Sequence, residues 1–472
     1  MIKNSLLSFL VFLCLNLSAQ EKTNYKIELK IKGLEDSVLY LANYYGDKTF
    51  LVDTAKRKGK NNYVFEKKKN LKGGIYIVVG PSKNSIFEFL ISDSQNLKFD
   101  SDMENLIEQM KVKGSNENSI FFRYLSYSNI QFKRLKDYQS RLEKYSTLSD
   151  SLVKLKKQIK LLNQDVGDYK EAIIEAYPKS FIAHFFLAMK NPPEADLSHA
   201  SKQDSLKAYQ DFKRNYWNYM DFDDDRLIRT PVFHNKLNYY FSSLVPPLAD
   251  SIETAIDQFL KRMPEKSELY KHSLWTLTLK FDQINRMGFD AILVYLADNY
   301  YAKGKAYWLN SNVLHNILDE AKKRRSALIG KTAPNLVMQD SLGSPISMYN
   351  IDKKYTLIYF WNPNCSHCQI ETPKLLEFYN DNAKKFDLEI YAVCADTNMQ
   401  EMKAYIKKNN LNWINVNGPR SYTQDFHELY NVYSTPYIFL LNRNKKIIAK
   451  QIRSKQLLNF ILDYEKHKPQ NE

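Results

Sequence analysis

Cysteine and glycine are scarce in this sequence, four and 13 respectively among 472 residues. So few cysteines exclude a fold stapled by disulfides. There is no second C-x-x-C to complete a four-cysteine zinc site, and the eight histidines show no H-x-x-x-H spacing, so no metal site is expected. His184, on an apolar helical face, is read as packed rather than as a ligand. Beyond the first twenty residues no apolar run approaches membrane-spanning length. No unit repeats at a fixed period. The chain also lacks a recognisable nucleic-acid module, although its formal net charge is +15. Its lysines are interleaved with acidic residues, as in 133–160, which describes a solvated helical surface better than a nucleic-acid footprint. Attraction to acidic partners is still open.

What is present is concentrated between residues 356 and 373, TLIYFWNPNCSHCQIETP. An apolar strand over 357–361 runs into the turn Asn362-Pro363-Asn364, and 366–386 then has the period of an amphipathic helix. This places Cys365 at a helix N-terminus, where the helix dipole and free backbone N–H groups favour the thiolate, the form that attacks disulfides. Cys368 follows one turn inward, in position to resolve a mixed disulfide. Glu371 lies three positions further on the same face. Cys394 belongs to an apolar strand over 389–395, where a thiol is expected to be buried and inert.

These residues resemble the thioredoxin superfamily, specifically its TlpA/ResA-like periplasmic branch, over residues 331 to the C-terminus. The supporting marks are Phe360-Trp361 before the active turn, the C-x-x-C-x-x-E-x-P pattern ending at Glu371 and Pro373, and Ser434-Thr435-Pro436 before an apolar strand over 437–441. The resemblance implies Cys365 as nucleophile, Cys368 as resolving thiol and Glu371 as proton shuttle. It also implies a cis Pro436 beside the sulfurs, with the Thr435 backbone open to a substrate strand, and Trp361 and His367 among the substrate-contacting residues. No cofactor is needed beyond the Cys365–Cys368 disulfide itself. Two departures stand out. Tyr359 occupies the position where many relatives bury an aspartate, and Asn364 replaces the tryptophan that usually precedes the first cysteine. His367 between the cysteines could make the disulfide more oxidising.

Along the rest of the chain, residues 1–19 read as a secretory signal with Lys3, an apolar run over 6–17 and cleavage after Ala19. Export to a bacterial periplasm or cell envelope is therefore expected. Residues 20–114 alternate in short runs broken by glycines and turn residues, the pattern of an all-β sandwich. They resemble the β-domain ahead of thioredoxin-like modules in Bacteroidetes envelope proteins. Residues 115–328 lose almost all glycine and carry long helical periods, an all-α domain. Residues 329–472 alternate strands and helices, an α/β thioredoxin-like domain with a central insertion after Cys394. The expected activity is reduction of protein disulfides, and the resemblance implies substrates such as apocytochrome c or other oxidised envelope proteins and electrons from an inner-membrane thiol donor. The alternatives are a scaffold protein with an idle cysteine pair, a copper or zinc chaperone using Cys365, His367 and Cys368, and a thiol peroxidase. The last is weakened because Asn362 stands where peroxiredoxins carry a threonine.

Overall fold

The computed structural model describes residues 25–142, 150–198, 200–284 and 286–467. The signal expected over 1–19 lies outside them. Among the described residues no helix is long and apolar enough to cross a membrane. The chain divides into two compact units, residues 1–238 and 239–472, so the helical stretch expected over 115–328 contributes to both.

The first unit opens with β1 (Tyr25–Lys32), β2 (Val38–Tyr45), β3 (Lys48–Lys56), β4 (Asn62–Lys67), β5 (Gly74–Val79), β6 (Ser85–Ile91), β7 (Asn96–Asp102) and β8 (Lys111–Lys113). They form two four-stranded sheets, ordered β4-β1-β7-β8 and β3-β2-β5-β6. Alternation in β1 buries Ile27, Leu29 and Ile31, which meet Leu39 and Leu41 of the other sheet in one apolar core. Phe89 and Phe99, with ring centroids 5.0 Å apart, join the two sheets. Gly114, at φ +91°, makes the turn out of β8, where a Cβ would come within 2.1 Å of the Asn96 carbonyl oxygen.

Helices α1 (Asn116–Leu142), α2 (Asp150–Ala176), α3 (Phe181–Met189), α4 (Lys202–Asn215) and α5 (Pro231–Tyr239) follow. Asn118 docks α1 on the sheet by pairing with both backbone groups of Leu90: it accepts from the N–H at 2.7 Å and donates to the carbonyl at 2.8 Å.

The second unit carries α6 (Ala249–Leu260), α7 (Glu268–Gln283), α8 (Asp290–Leu296) and α9 (Ser311–Arg325). It continues with β9 (Val337–Asp340), β10 (Pro345–Ser347), β11 (Tyr355–Trp361), α10 (Ser366–Phe386), β12 (Leu388–Cys394), α11 (Met399–Asn409), β13 (Ile414–Ser421), α12 (Phe426–Tyr430), β14 (Tyr437–Asn442), β15 (Ile447–Lys450) and α13 (Ser454–His467). The strands form one sheet, β10-β9-β13-β12-β11-β14-β15. β11, β12 and β13 run parallel, with α10 and α11 as their crossovers, while β14 runs antiparallel to β11. Every residue of β11 is buried, because apolar layers cover both faces of the sheet.

Polar bonds fasten the preceding helices to this sheet. Lys450 Nζ donates to the Ala327 carbonyl at 2.8 Å and pairs with Asp290 at the start of α8. Ser326 Oγ donates to the Leu429 carbonyl at 2.6 Å.

Candidate active site

The active turn is set by where β11 stops. After Trp361 the Asn362 side chain accepts the Asn364 N–H at 2.8 Å, its carbonyl accepts the Cys365 N–H at 3.2 Å, and Cys365 becomes the N-cap of α10. Cys365 is partly exposed and Cys368 is fully buried; both are free thiols. Burial alone would push the Cys365 thiol up. The Cys368 N–H and thiol, the Thr435 side chain and the His367 N–H outweigh it and hold the thiol below its ordinary value. One turn inward the balance reverses, and burial pushes the Cys368 thiol up to about 11. The turn therefore presents one exposed sulfur that ionises readily and one buried sulfur that keeps its proton.

The Thr435–Pro436 peptide bond is cis. The Cys365 thiol donates to the Thr435 carbonyl at 3.3 Å, so the strand end before β14 lies against the attacking sulfur. Glu371 is buried, and its Oε1 accepts the Ser454 N–H at the start of α13 at 2.7 Å. It also lines a cleft of about 260 Å³ together with Ser434 and Pro436, which gives the carboxyl a route to solvent. Beneath Cys368, Tyr359 shares a buried 2.8 Å hydrogen bond with Thr372. A hydroxyl pair thus stands at the position where many cytoplasmic thioredoxins bury an aspartate. Such an arrangement can form and break a disulfide with a visiting chain and move a proton near its buried sulfur.

Residues 352–447 match a family model described as Thioredoxin-like, and residues 25–121 match a Domain of unknown function (DUF4369). The thiol-disulfide oxidoreductase ResA of Bacillus subtilis is 30% identical over 137 residues, which cover 29% of this chain and 73% of that protein. The chain belongs to the thioredoxin-like thiol–disulfide oxidoreductases. A thioredoxin-like protein of Haemophilus influenzae is 27% identical over 143 residues, covering 30% of this chain and 80% of that one. Among solved structures, a domain of a possible thiol-disulfide isomerase from Cytophaga hutchinsonii is 38% identical, covers 29% of this chain and 94% of its own, and superposes with a TM-score of 0.28.

Within the thioredoxin-like domain the structure brings Cys365, Cys368, Glu371, Thr435 and Pro436 to one place and leaves His367 exposed at the helix tip. Trp361 departs from expectation. It is fully buried and packs against Tyr405 of α11 in a tilted arrangement, ring centroids 5.0 Å apart, so it presents no surface to a substrate. The reason is its place at the end of the central strand, under a crossover helix. Asn364 donates to Glu401 at 2.5 Å and to Asp396 at 3.3 Å, which makes the flank beside β12 acidic. Sequence reasoning noted Asn364 as a departure but missed these partners, which come from the loop after β12 and the first turn of α11, 32 and 37 residues away. Cys394 is buried, its thiol pushed up to about 12 by desolvation. Apart from the cysteine pair, His184, Asp221 and Asp224 hold ligand-capable atoms within 4.8 Å of one another. Arg226 occupies both Asp224 oxygens at 2.7 Å, however, so this is better described as an ion-pair cluster.

Proposed function

We propose that this protein is an exported envelope enzyme that reduces protein disulfides through Cys365, Cys368 and Glu371. The observation that carries this reading is the opposed state of the two sulfurs, with Cys365 held below the ordinary thiol value beside the Thr435 carbonyl and Cys368 buried at about 11. An extended substrate strand pairs with the backbone before Pro436, and the Cys365 thiolate attacks one sulfur of its disulfide. The Cys365–substrate bond forms, the substrate S–S bond breaks, and the other substrate sulfur leaves as a thiolate that takes a proton from water. Cys368 then gives its proton to Glu371 and attacks Cys365. The substrate departs with its second thiol, and the two protein cysteines, now a disulfide, have supplied both electrons. An inner-membrane thiol donor returns them, and oxidised envelope proteins such as apocytochrome c are the substrates in view.

The test is insulin reduction by the purified chain, followed by precipitation of the freed B chain in the presence of dithiothreitol. Wild type is expected to shorten the lag several-fold and Cys365→Ser to give the uncatalysed lag. Equal lags for the two proteins reject the enzymatic reading and leave the scaffold alternative.

A further inference from the structure

Two clefts adjoin beside Pro436, and both lie within the second unit. The first, about 260 Å³, is bounded by Glu371, Pro436, Arg453 and Met287. The second, about 340 Å³, shares Ser434, Tyr437 and Gln451 with it and runs on to Arg286, Asp290 and Arg324. Together they make a trench with the cis-proline loop as its floor at one end and the α7–α8 connection as its far wall. That wall does not come from the thioredoxin-like domain. It is held in place by the Lys450 contacts to Asp290 and Ala327.

Charge in the trench is unevenly spent. Arg324 pairs with Asp282 at 2.8 Å, and Lys450 pairs with Asp290. Arg286 stacks on Phe289, 5.1 Å from the ring centroid, and among the described residues no carboxylate pairs with it. The Arg453 guanidinium likewise has no carboxylate partner among them, and both arginines are exposed. On the opposite flank of Cys365 stand Asp396 and Glu401, which accept from Asn364. An extended chain lying across Cys365 therefore meets, on one side, two arginines without a carboxylate partner beside the single carboxyl of Glu371, and on the other side two carboxylates. Met287, also exposed, adds an apolar contact on the basic side.

We propose that Arg286 and Arg453 make this trench a docking groove for disulfide-bonded polypeptide segments that carry acidic residues next to the cysteine. This rests on Cys365 being the attacking sulfur. The helical layer of the second unit, through Arg286, then sets which disulfides are reduced. Electrostatic complementarity of this kind acts mainly on selection and encounter, and it weakens with salt.

The experiment uses the reduced full chain and three synthetic peptides, each with one cysteine protected as a 4-pyridyl disulfide and flanked by acidic, neutral or basic residues. Attack forms the Cys365–peptide disulfide and expels 4-thiopyridone, the better leaving group, whose absorbance is read. Cys368 then closes the protein disulfide and the peptide leaves as a thiol. Wild type is expected to react about tenfold faster with the acidic than with the basic peptide at low salt, the preference shrinking to about twofold at 0.5 M NaCl. The double variant Arg286→Glu with Arg453→Glu should abolish or invert the preference while its rate with the neutral peptide stays within about twofold of wild type. If that variant does not fold, the salt dependence of wild type and the single variant Arg286→Gln carry the test, the latter with a reduced preference. Equal wild-type rates for acidic and basic peptides, or a preference unchanged by charge reversal, overturn the docking groove alone. No thiopyridone release beyond the Cys365→Ser background from any peptide overturns the disulfide-exchange reading and the groove with it.

Discussion

Replacing Glu371 by glutamine separates the two halves of the exchange. The amide oxygen can still accept the Ser454 N–H, so the local packing is kept and only the proton-accepting carboxylate is lost. Burial is the main cause of the raised Cys368 value, about 11 in the reduced pair, and it persists when Cys365 is bonded to a substrate. At pH 7 about one Cys368 in 10⁴ is then a thiolate, a penalty of about 5 kcal/mol. A positioned base typically recovers about 10² to 10⁴ in rate. Glu371→Gln should therefore slow resolution about 100-fold at pH 7 and leave the first attack unchanged. Because the thiolate fraction grows with pH, resolution in the variant should rise about tenfold per pH unit until it nears the Cys368 value. The assay is a single turnover with the neutral pyridyl disulfide peptide, quenched in acid, with the mixed disulfide counted by intact mass. Mixed disulfide decaying equally fast in variant and wild type at pH 7 would refute the shuttle role.

Iodoacetamide on the folded, reduced chain should modify Cys365 first, with a pH midpoint below that of an ordinary thiol, while Cys368 and Cys394 stay unmodified at pH 7. Peptide mapping reads this, and comparable labelling of Cys394 would show that its strand is not closed. For those two buried thiols the fold favours the protonated form, so their contribution to stability is complete below the ordinary thiol value and is lost as pH rises past it. Lys450→Met leaves Asp290 without its cation and the Ala327 carbonyl without its donor. It should lower stability by about 3–5 kcal/mol, seen as a drop in the thermal midpoint, and Asp290→Asn added to it should restore part of the loss. A midpoint unchanged by Lys450→Met would mean that the helices of the second unit are not fastened to the sheet this way.

Residues whose role depends on near neighbours in the chain were the legible ones. Helix α10 has the expected bounds, 366–386, because a strand, an Asn-Pro-Asn turn and a 3.6-residue apolar period all point to the same start. Alternation is plain in β1, which buries Ile27, Leu29 and Ile31, but not in β3. It is an edge strand whose first four residues are exposed, Phe50 and Leu51 among them, so its pattern lacks a buried face at that end. Trp361 was misjudged for a related reason: in a strand covered on both faces, sequence does not tell which aromatic reaches the surface. The partners of Glu371 and of Lys450 lie 83 and 160 residues away, and no local period encodes such pairings. The trench has the same origin, since Arg286 and Arg453 look like ordinary surface residues until the sheet and the helices are brought together.

The direction of electron flow turns on the same asymmetry between the sulfurs. Interactions that favour the Cys365 thiolate stabilise the reduced pair and leave the disulfide untouched, so they move the couple toward the oxidising side, about 30 mV for each 1.4 kcal/mol. Burial of Cys368 does not offset this at neutral pH, because a thiol at about 11 is protonated in the reduced protein and carries no charge for the surroundings to act on. The lowered Cys365 value therefore makes the pair a weaker reductant than one built from two ordinary thiols. On the proposed reading a thiol donor keeps the pair reduced, and the favoured substrates are strained or exposed disulfides, which have higher potentials. A groove that selects cysteines by their charged neighbours fits such an enzyme. Where the thermodynamic margin is small, productive turnover depends on holding the right disulfide against Cys365 long enough for Cys368 to complete the exchange.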